Sequence, residues 1–341
     1  MTTIDTAPPE APVAAAPGPI AGFWRRLAAF LIDSLVLGVP TSVVLHFAFD
    51  FVVSLGEAGR LIGFVVALAY FGLLNGRVGD GQTVGKNLMG IRVTDRNGET
   101  LSTPRAMLRF LVLGVPYFAN GVFINADPDT LGVIAYPIVA LLFVVVFGGL
   151  GTIVYLYIFN RRTRQSLHDL AVGSFVVRAM AERTPVPASL ATPRLHLYVV
   201  GCLFALMLAL PIAAGLMEDD STSRSAQAPL VELQRAIQVE HGIAQVGIST
   251  LTSTITTARS GTRTVTALEV VLRPGTVRPD NEGLQRAVAR TVLAHHPDLL
   301  GQQILRVSIV YVANLGTASW SVGHNNGLDA AGWRSAIASG G

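Results

Sequence analysis

From residue 27 to residue 49 the chain is apolar with a single acid inside it, Asp33. About 20 consecutive apolar residues suffice for a helix to cross a bilayer, so this run can span one. A carboxylate within such a run is costly in hydrocarbon and needs a partner or a purpose. Residues 59–74, 106–124, 131–159 and 195–217 repeat the apolar pattern. Only 14% of the 341 residues are charged and 51% are apolar, against about 25% charged in soluble domains. The composition is that of an integral membrane protein. A net charge of +3 is too small to argue for nucleic acid, and the basic residues flank the apolar runs instead of forming a patch. The one cysteine, Cys202, lies inside an apolar run, which excludes an intrachain disulfide and a thiolate metal site.

Charge orders the runs across the membrane. Arg25 and Arg26 precede the first run, the loop at 76–105 carries Arg77, Lys86, Arg92, Arg96 and Arg105, and the loop at 160–194 carries six arginines. Asp50, Asp127 and Glu218 stand at the opposite ends. Basic residues mark cytoplasmic ends, so the expectation is five spans, a cytoplasmic N-terminus and an extracytoplasmic C-terminal domain. Residues 1–20, rich in Ala and Pro, are expected to be a disordered tail and lack the basic start of a secretory signal. Residues 21–180 form a four-span domain, 181–194 a cytoplasmic linker, 195–217 the fifth span, and 218–341 an outer domain with flexible ends. The uncharged stretch 131–159, at about 1.5 Å per residue, exceeds the hydrocarbon thickness by roughly half. It is therefore either strongly tilted or broken near Gly148, Gly149 and Gly151.

The C-terminal region alternates differently. Residues 229–241 have helical apolar spacing, while 243–257 and 265–272 read as strands. Asp280 can cap a helix whose apolar face is Leu284, Ala287, Val288, Thr291 and Val292. Residues 304–312 and 317–322 read as a strand pair, followed by a loose Gly- and Asn-rich tail. The order αββαββ predicts a small antiparallel sheet with helices on one face. The fold expected for the whole chain is thus an α-helical membrane bundle plus a soluble α+β domain.

Three stretches carry further information: Gly22-Phe23-Trp24-Arg25-Arg26 running to Asp33; Gly81-Gln82-Thr83-Val84-Gly85-Lys86 continuing to Gly90-Ile91-Arg92-Val93; and Arg161-Arg162-Thr163-Arg164-Gln165-Ser166-Leu167-His168-Asp169. In this order, over about residues 20–180, they resemble the RDD family of bacterial membrane proteins, named for one arginine and two aspartates. The resemblance places the family's arginine on Arg26 and its aspartates on Asp33 and Asp169. It implies a multi-pass inner-membrane protein, with cation/proton exchange or solute transport proposed for some members, and it does not extend to the fifth span or the outer domain.

Arg26, Asp33, Arg109 and Asp169 are the candidate ion network, all near the cytoplasmic interface. Arg26 and Asp33 are too far apart along one helix for an easy pair, which leaves Arg109 as the better partner for Asp33 and Asp169 as the answer to Arg26. Two readings stand: a structural network that fixes helix packing, or a proton or cation site. Lys86 and Arg92 are candidates for contact with lipid phosphates from an interfacial segment at 82–93, with Leu88, Met89 and Ile91 in the acyl boundary. Gly81 to Lys86 fails the phosphate-loop pattern, because Asp80 and Asn87 stand where Gly and Ser or Thr are required. His168 beside Asp169 is a weak proton-relay candidate, and His295-His296 fits a helix end better than a metal site. No catalytic constellation, metal site or cofactor is expected, so the chain reads as a non-enzyme. Its partners are the lipid bilayer, then a cation or proton for a transporter, or a protein partner of the outer domain for a scaffold, assembly factor or sensor.

Overall fold

The computed structural model describes residues 20–122, 135–179, 185–217, 221–243, 245–257, 261–295 and 304–340. The expected N-terminal tail, the acids at 127, 129 and 218–220, and His296 lie outside the described residues.

Helix α1 spans Phe23–Phe47 and contains both Asp33 and Pro40. Helix α2, Phe49–Leu55, joins α3, Gly59–Leu74, through a single 3-10 turn, making one stretch of 26 residues. Among the described residues, four helical stretches are long and apolar enough to cross a membrane: Phe23–Phe47, Phe49–Leu74, Pro137–Phe159 and Arg194–Ala213. Residues 106–124, expected as a further span, contribute to a helix of 17 residues, Thr103–Ala119. Between α3 and this helix comes the short α4, Val84–Leu88, so Thr103–Ala119 is α5.

From residue 135 to residue 159 the long uncharged run is continuously helical. Helix α6, Ala135–Phe143, passes through a π-helical turn at Val144–Gly148 into α7, Gly149–Phe159. A wider turn of this kind shifts the face of the helix without breaking it. Gly149 lets α7 approach α5, since a methyl group there would lie 2.8 Å from Pro116.

Two strands missing from the sequence reading close the Arg26 end of α1. Strand β1, Ile91–Thr94, pairs antiparallel with β2, Phe175–Arg178, which follows the short helix α8, Leu167–Val172. Ile91 and Val93 pack with Ala29, Val172 and Val176. Ile91 is thus inside a small protein core, away from the acyl boundary expected for it.

After α9, Arg194–Met217, and α10, Ser221–His241, comes a four-stranded sheet. Its strands are β3, Gln245–Thr257, β4, Gly261–Arg273, β5, Ile304–Asn314, and β6, Ser319–Leu328, paired in that order. Helix α11, Asn281–His295, is capped by the predicted Asp280, whose carboxylate accepts from Gly283 N at 2.7 Å. It carries the chain back to the starting end of the sheet, so β5 runs parallel to β4. The sheet is therefore mixed, where the sequence reading expected it to be antiparallel. The region after Gly323, expected to be loose, completes β6 and forms α12, Ala330–Ser339, capped by Asp329. Trp333 of α12 is fully buried and its indole N–H donates to Leu305 O at 2.9 Å.

The core of this domain continues into the helices. Leu45 at the far end of α1 and Val52 and Val53 of α2 belong to the same buried cluster as Leu233, Leu268, Ile309 and Tyr311. The C-terminal domain thus packs at the end of α1 opposite to Arg26 and the arginine-rich loops.

Candidate functional site

The motif residues converge on two separate buried carboxylates. Asp33, on α1, accepts from the Tyr70 hydroxyl at 2.7 Å, the Thr83 hydroxyl at 2.6 Å and the Gly85 amide at 2.8 Å. Lys86 Nζ stands at 3.9 Å. Thr83 is the N-cap of α4, so Asp33 holds the start of that helix against α1. The glycines of the motif follow from this docking. A side chain at Gly85 would overlap the Ala29 carbonyl, and Gly81 takes a left-handed φ of +76° beneath Val93. Gly-Gln-Thr-Val-Gly-Lys is a docking sequence for a short helix.

Asp169 is the second carboxylate and is fully buried. Arg26 Nη2 donates to it at 2.7 Å, while Arg109 donates twice, from Nη2 at 2.6 Å and Nε at 3.0 Å. The Ser174 hydroxyl and the Ser166 amide complete the shell at 3.1 and 3.2 Å. Ser166 and Asp169 form a reciprocal capping box at the start of α8. A second Arg26 nitrogen donates to the Arg164 carbonyl. Five donor contacts on one carboxylate satisfy the requirement that a buried charge be paired and hydrogen-bonded.

The four network candidates are therefore brought to one end of α1 but divided between two centres. Arg109 joins Asp169 beside Arg26, and Asp33 takes Lys86 and α4. Lys86 turns inward, with its ammonium 5.7 Å from the Phe71 ring centroid. Arg92 bonds Asp80 at 3.1 Å and the Ala179 carbonyl at 3.3 Å. Burial lowers the Lys86 ammonium to about 7, with Arg109 adding to the effect and Asp33 opposing it. For Asp169, burial alone would raise the carboxyl; the nearby positive charges, Arg109 foremost, outweigh it and hold the group well below its ordinary range.

His168 is buried beside this centre, its Nε2 3.7 Å from Asp169. Burial lowers the imidazole to about 3, against the pull of Asp169 and with help from Arg109 and Arg26. It is neutral at neutral pH. Between its ordinary value near 6.5 and about 3, the unfolded chain binds this proton and the folded chain does not, so stability falls as pH falls. Comparing thermal unfolding midpoints of wild type and His168→Gln in detergent, the wild type should lose more stability between pH 7 and pH 5. Equal slopes would place His168 in a wetter site. His295, the other histidine singled out, ends α11 with Nδ1 2.9 Å from the Thr291 carbonyl oxygen.

A third feature gave no signal that was read from sequence. The tip of the β5–β6 hairpin, residues 315–318, is inserted between α1 and α3. Thr317 Oγ1 and Thr41 Oγ1 are 2.9 Å apart. A methyl group on Gly59 would lie 2.6 Å from the Asn314 carbonyl oxygen, and one on Gly63 would overlap the Leu315 carbonyl. Gly316, at φ +79°, turns the tip against Phe118 of α5. Arg60, between the two seat glycines, donates to the carbonyls of Phe118 and Asn120 at 3.0 and 2.7 Å and pairs with Glu57 at 3.1 Å. The spacing Gly59-x-x-x-Gly63 is the signal that could have revealed a close approach. Here a hairpin makes that approach, where a helix is the usual partner.

Between the hairpin tip and the Asp33 centre lies a small cavity of about 80 Å³, lined by Phe30, Ala67, Phe71, Phe110, Leu113 and Thr317 among others. Its walls are mainly apolar. The hydroxyl of Ser34, also on its wall, is turned back onto the Phe30 carbonyl at 2.8 Å.

Comparison with known proteins agrees with the motif reading. The RDD family model matches residues 20–173, the stretch that holds both carboxylates. Uncharacterized protein YxaI of Bacillus subtilis (strain 168) is 26% identical over 30% of this chain and 78% of its own length. Uncharacterized protein YckC of the same organism is 27% identical over 47% of this chain and 85% of its own length. No solved structure matches the chain.

Proposed function

With residues 20–173 matched to the RDD family, we propose that the chain is a non-catalytic membrane scaffold that presents its C-terminal domain on the outer face of a bacterial plasma membrane. In this reading α1 is the rod between two fixed points. Its inner end is held by Asp169 and by the Asp33-docked α4, and its outer end by the hairpin tip. The N-terminus and the arginine-rich loops are cytoplasmic, α5 completes a set of five spans, and the outer domain engages a protein partner. The insertion of residues 315–318 between α1 and α3 carries the reading. Non-helical backbone is tolerated at membrane depth only where protein covers it, and the glycine seat provides that cover. Arg77, Arg92, Arg96 and Arg105 on the Asp33 side, against Asp50 and Glu57 on the hairpin side, support the orientation.

Proton or cation exchange at Asp33 is the second reading, favoured by Lys86 standing 3.9 Å away with its ammonium lowered to about 7. Against it, Asp33 already accepts from three hydrogen-bond donors and the neighbouring cavity is mainly apolar. Proteoliposomes separate the two. Under a pH gradient the wild type should move Na+ or K+ no faster than Asp33→Asn protein or empty vesicles. A wild-type flux lost in Asp33→Asn would overturn the scaffold in favour of exchange. A reporter fused after Gly341 that works only in the cytoplasm would overturn the orientation.

A further inference from the structure

Beside the inserted hairpin, on the flank of α1 away from the glycine seat, runs an open groove of about 470 Å³. One wall is the stripe Leu35, Val39, Val43 and Phe47, between 51% and 83% exposed; the other is Ala318 and Trp320 of the hairpin. The stripe repeats every fourth residue, so it is one continuous helix face. From Leu35 to Phe47 it extends about 18 Å along the axis, close to the hydrocarbon depth of one leaflet, about 15 Å. The groove offers little to a polar ligand. Of its two lining hydroxyls, Ser42 donates to the Gly38 carbonyl at 2.9 Å, a local bond, and Thr317 Oγ1 lies 2.9 Å from Thr41 Oγ1 on the side of the seat. Polar character returns only at the outer mouth, where the His46 and Trp320 rings meet edge to face with centroids 5.6 Å apart. Aromatic and amphipathic rings of this kind sit at the headgroup level.

We propose that this groove holds one acyl chain of an outer-leaflet phospholipid, clamped between α1 and the hairpin with its headgroup at His46 and Trp320. The inference rests on the outer placement of the C-terminal domain given above. The occupant is identified by continuity: the first wall is the lipid-facing stripe of a spanning helix, at acyl-chain depth, and the second wall converts ordinary lipid contact into a slot. The lipid is then part of the seat of the outer domain.

The test uses full-length protein with Cys202→Ser, reconstituted in phosphatidylglycerol and phosphatidylethanolamine, extracted in mild detergent and weighed by native mass spectrometry. Docking is followed separately by oxidative cross-linking of Thr41→Cys with Thr317→Cys. The wild-type groove should retain one diacyl phospholipid per chain. Val39→Trp, which fills the slot from an exposed position, should reduce retention at least tenfold while leaving the cross-link intact. Leu61→Trp, on an exposed face of α3, should change neither. An intact cross-link with no retained lipid, or equal retention in Val39→Trp, would overturn the slot. So would a dimer that Val39→Trp dissolves, since a second copy would then fill the groove. Retained lipid without any cross-link would overturn the docked outer domain instead.

Discussion

Gly63→Leu is expected to release the C-terminal domain from the helices while leaving both parts folded. The position is helical, and leucine is about 1 kcal/mol better than glycine in a helix interior, so α3 itself gains. What the side chain cannot do is share space with the Leu315 carbonyl, which a bare methyl group at this position would already overlap. The atoms met there, the Leu315 carbonyl and the Thr317 amide nitrogen, are backbone and not the movable end of a side chain. The hairpin must therefore leave, taking the Thr41–Thr317 hydroxyl contact with it. Measured by cysteines at those two positions in a Cys202→Ser background, cross-linking should fall more than tenfold, and a single thermal transition should divide into two. Gly63→Ala should lie between. Wild-type cross-linking in Gly63→Leu would show that the hairpin does not sit where α3 receives it.

The second large effect is expected at Asp169. Asp169→Ala leaves the guanidiniums of Arg26 and Arg109 facing each other across a buried gap, and removing one partner of such a cluster costs about 3–5 kcal/mol. That is a large share of the stability of an ordinary domain, about 5–15 kcal/mol, so the variant should accumulate poorly and unfold well below wild type. A buried charged cluster replaced whole by apolar groups is often neutral. Arg26→Met with Arg109→Met should accordingly rescue part of the Asp169→Ala loss in thermal midpoint and yield. If the triple variant is no better than Asp169→Ala alone, the cost comes from the lost capping box at Ser166, and not from uncompensated charge.

Hydropathy and charge in the sequence made the apolar stretches and the separation of basic from acidic ends legible, because both depend on residues near each other in the chain. They place Asp33, Arg26, Arg109 and Asp169 at one level. They do not give the direction each residue faces around its helix, which is why Arg109 was assigned to Asp33 and lies against Asp169 instead. The β1–β2 pair was missed for a related reason. Each strand has four residues, and the partners Ile91 and Arg178 are far apart in sequence, so neither strand stands out alone. Ile91-Arg92-Val93-Thr94 does alternate, and that alternation was the available signal. The mixed sheet follows from α11 returning the chain to the starting end, a matter of topology that residue types do not carry. The hairpin seat was hidden because its glycines read as ordinary members of an apolar run.

The inserted hairpin also imposes an order in time. Gly63 and Thr317 are separated by about 250 residues, and at a synthesis rate of about 5–20 residues per second the seat waits roughly 13–50 s for its occupant. Until then the close approach at Gly59 and Gly63 has no hairpin backbone to fill it. The docked arrangement of hairpin and helices is therefore completed only after nearly the whole chain has been made.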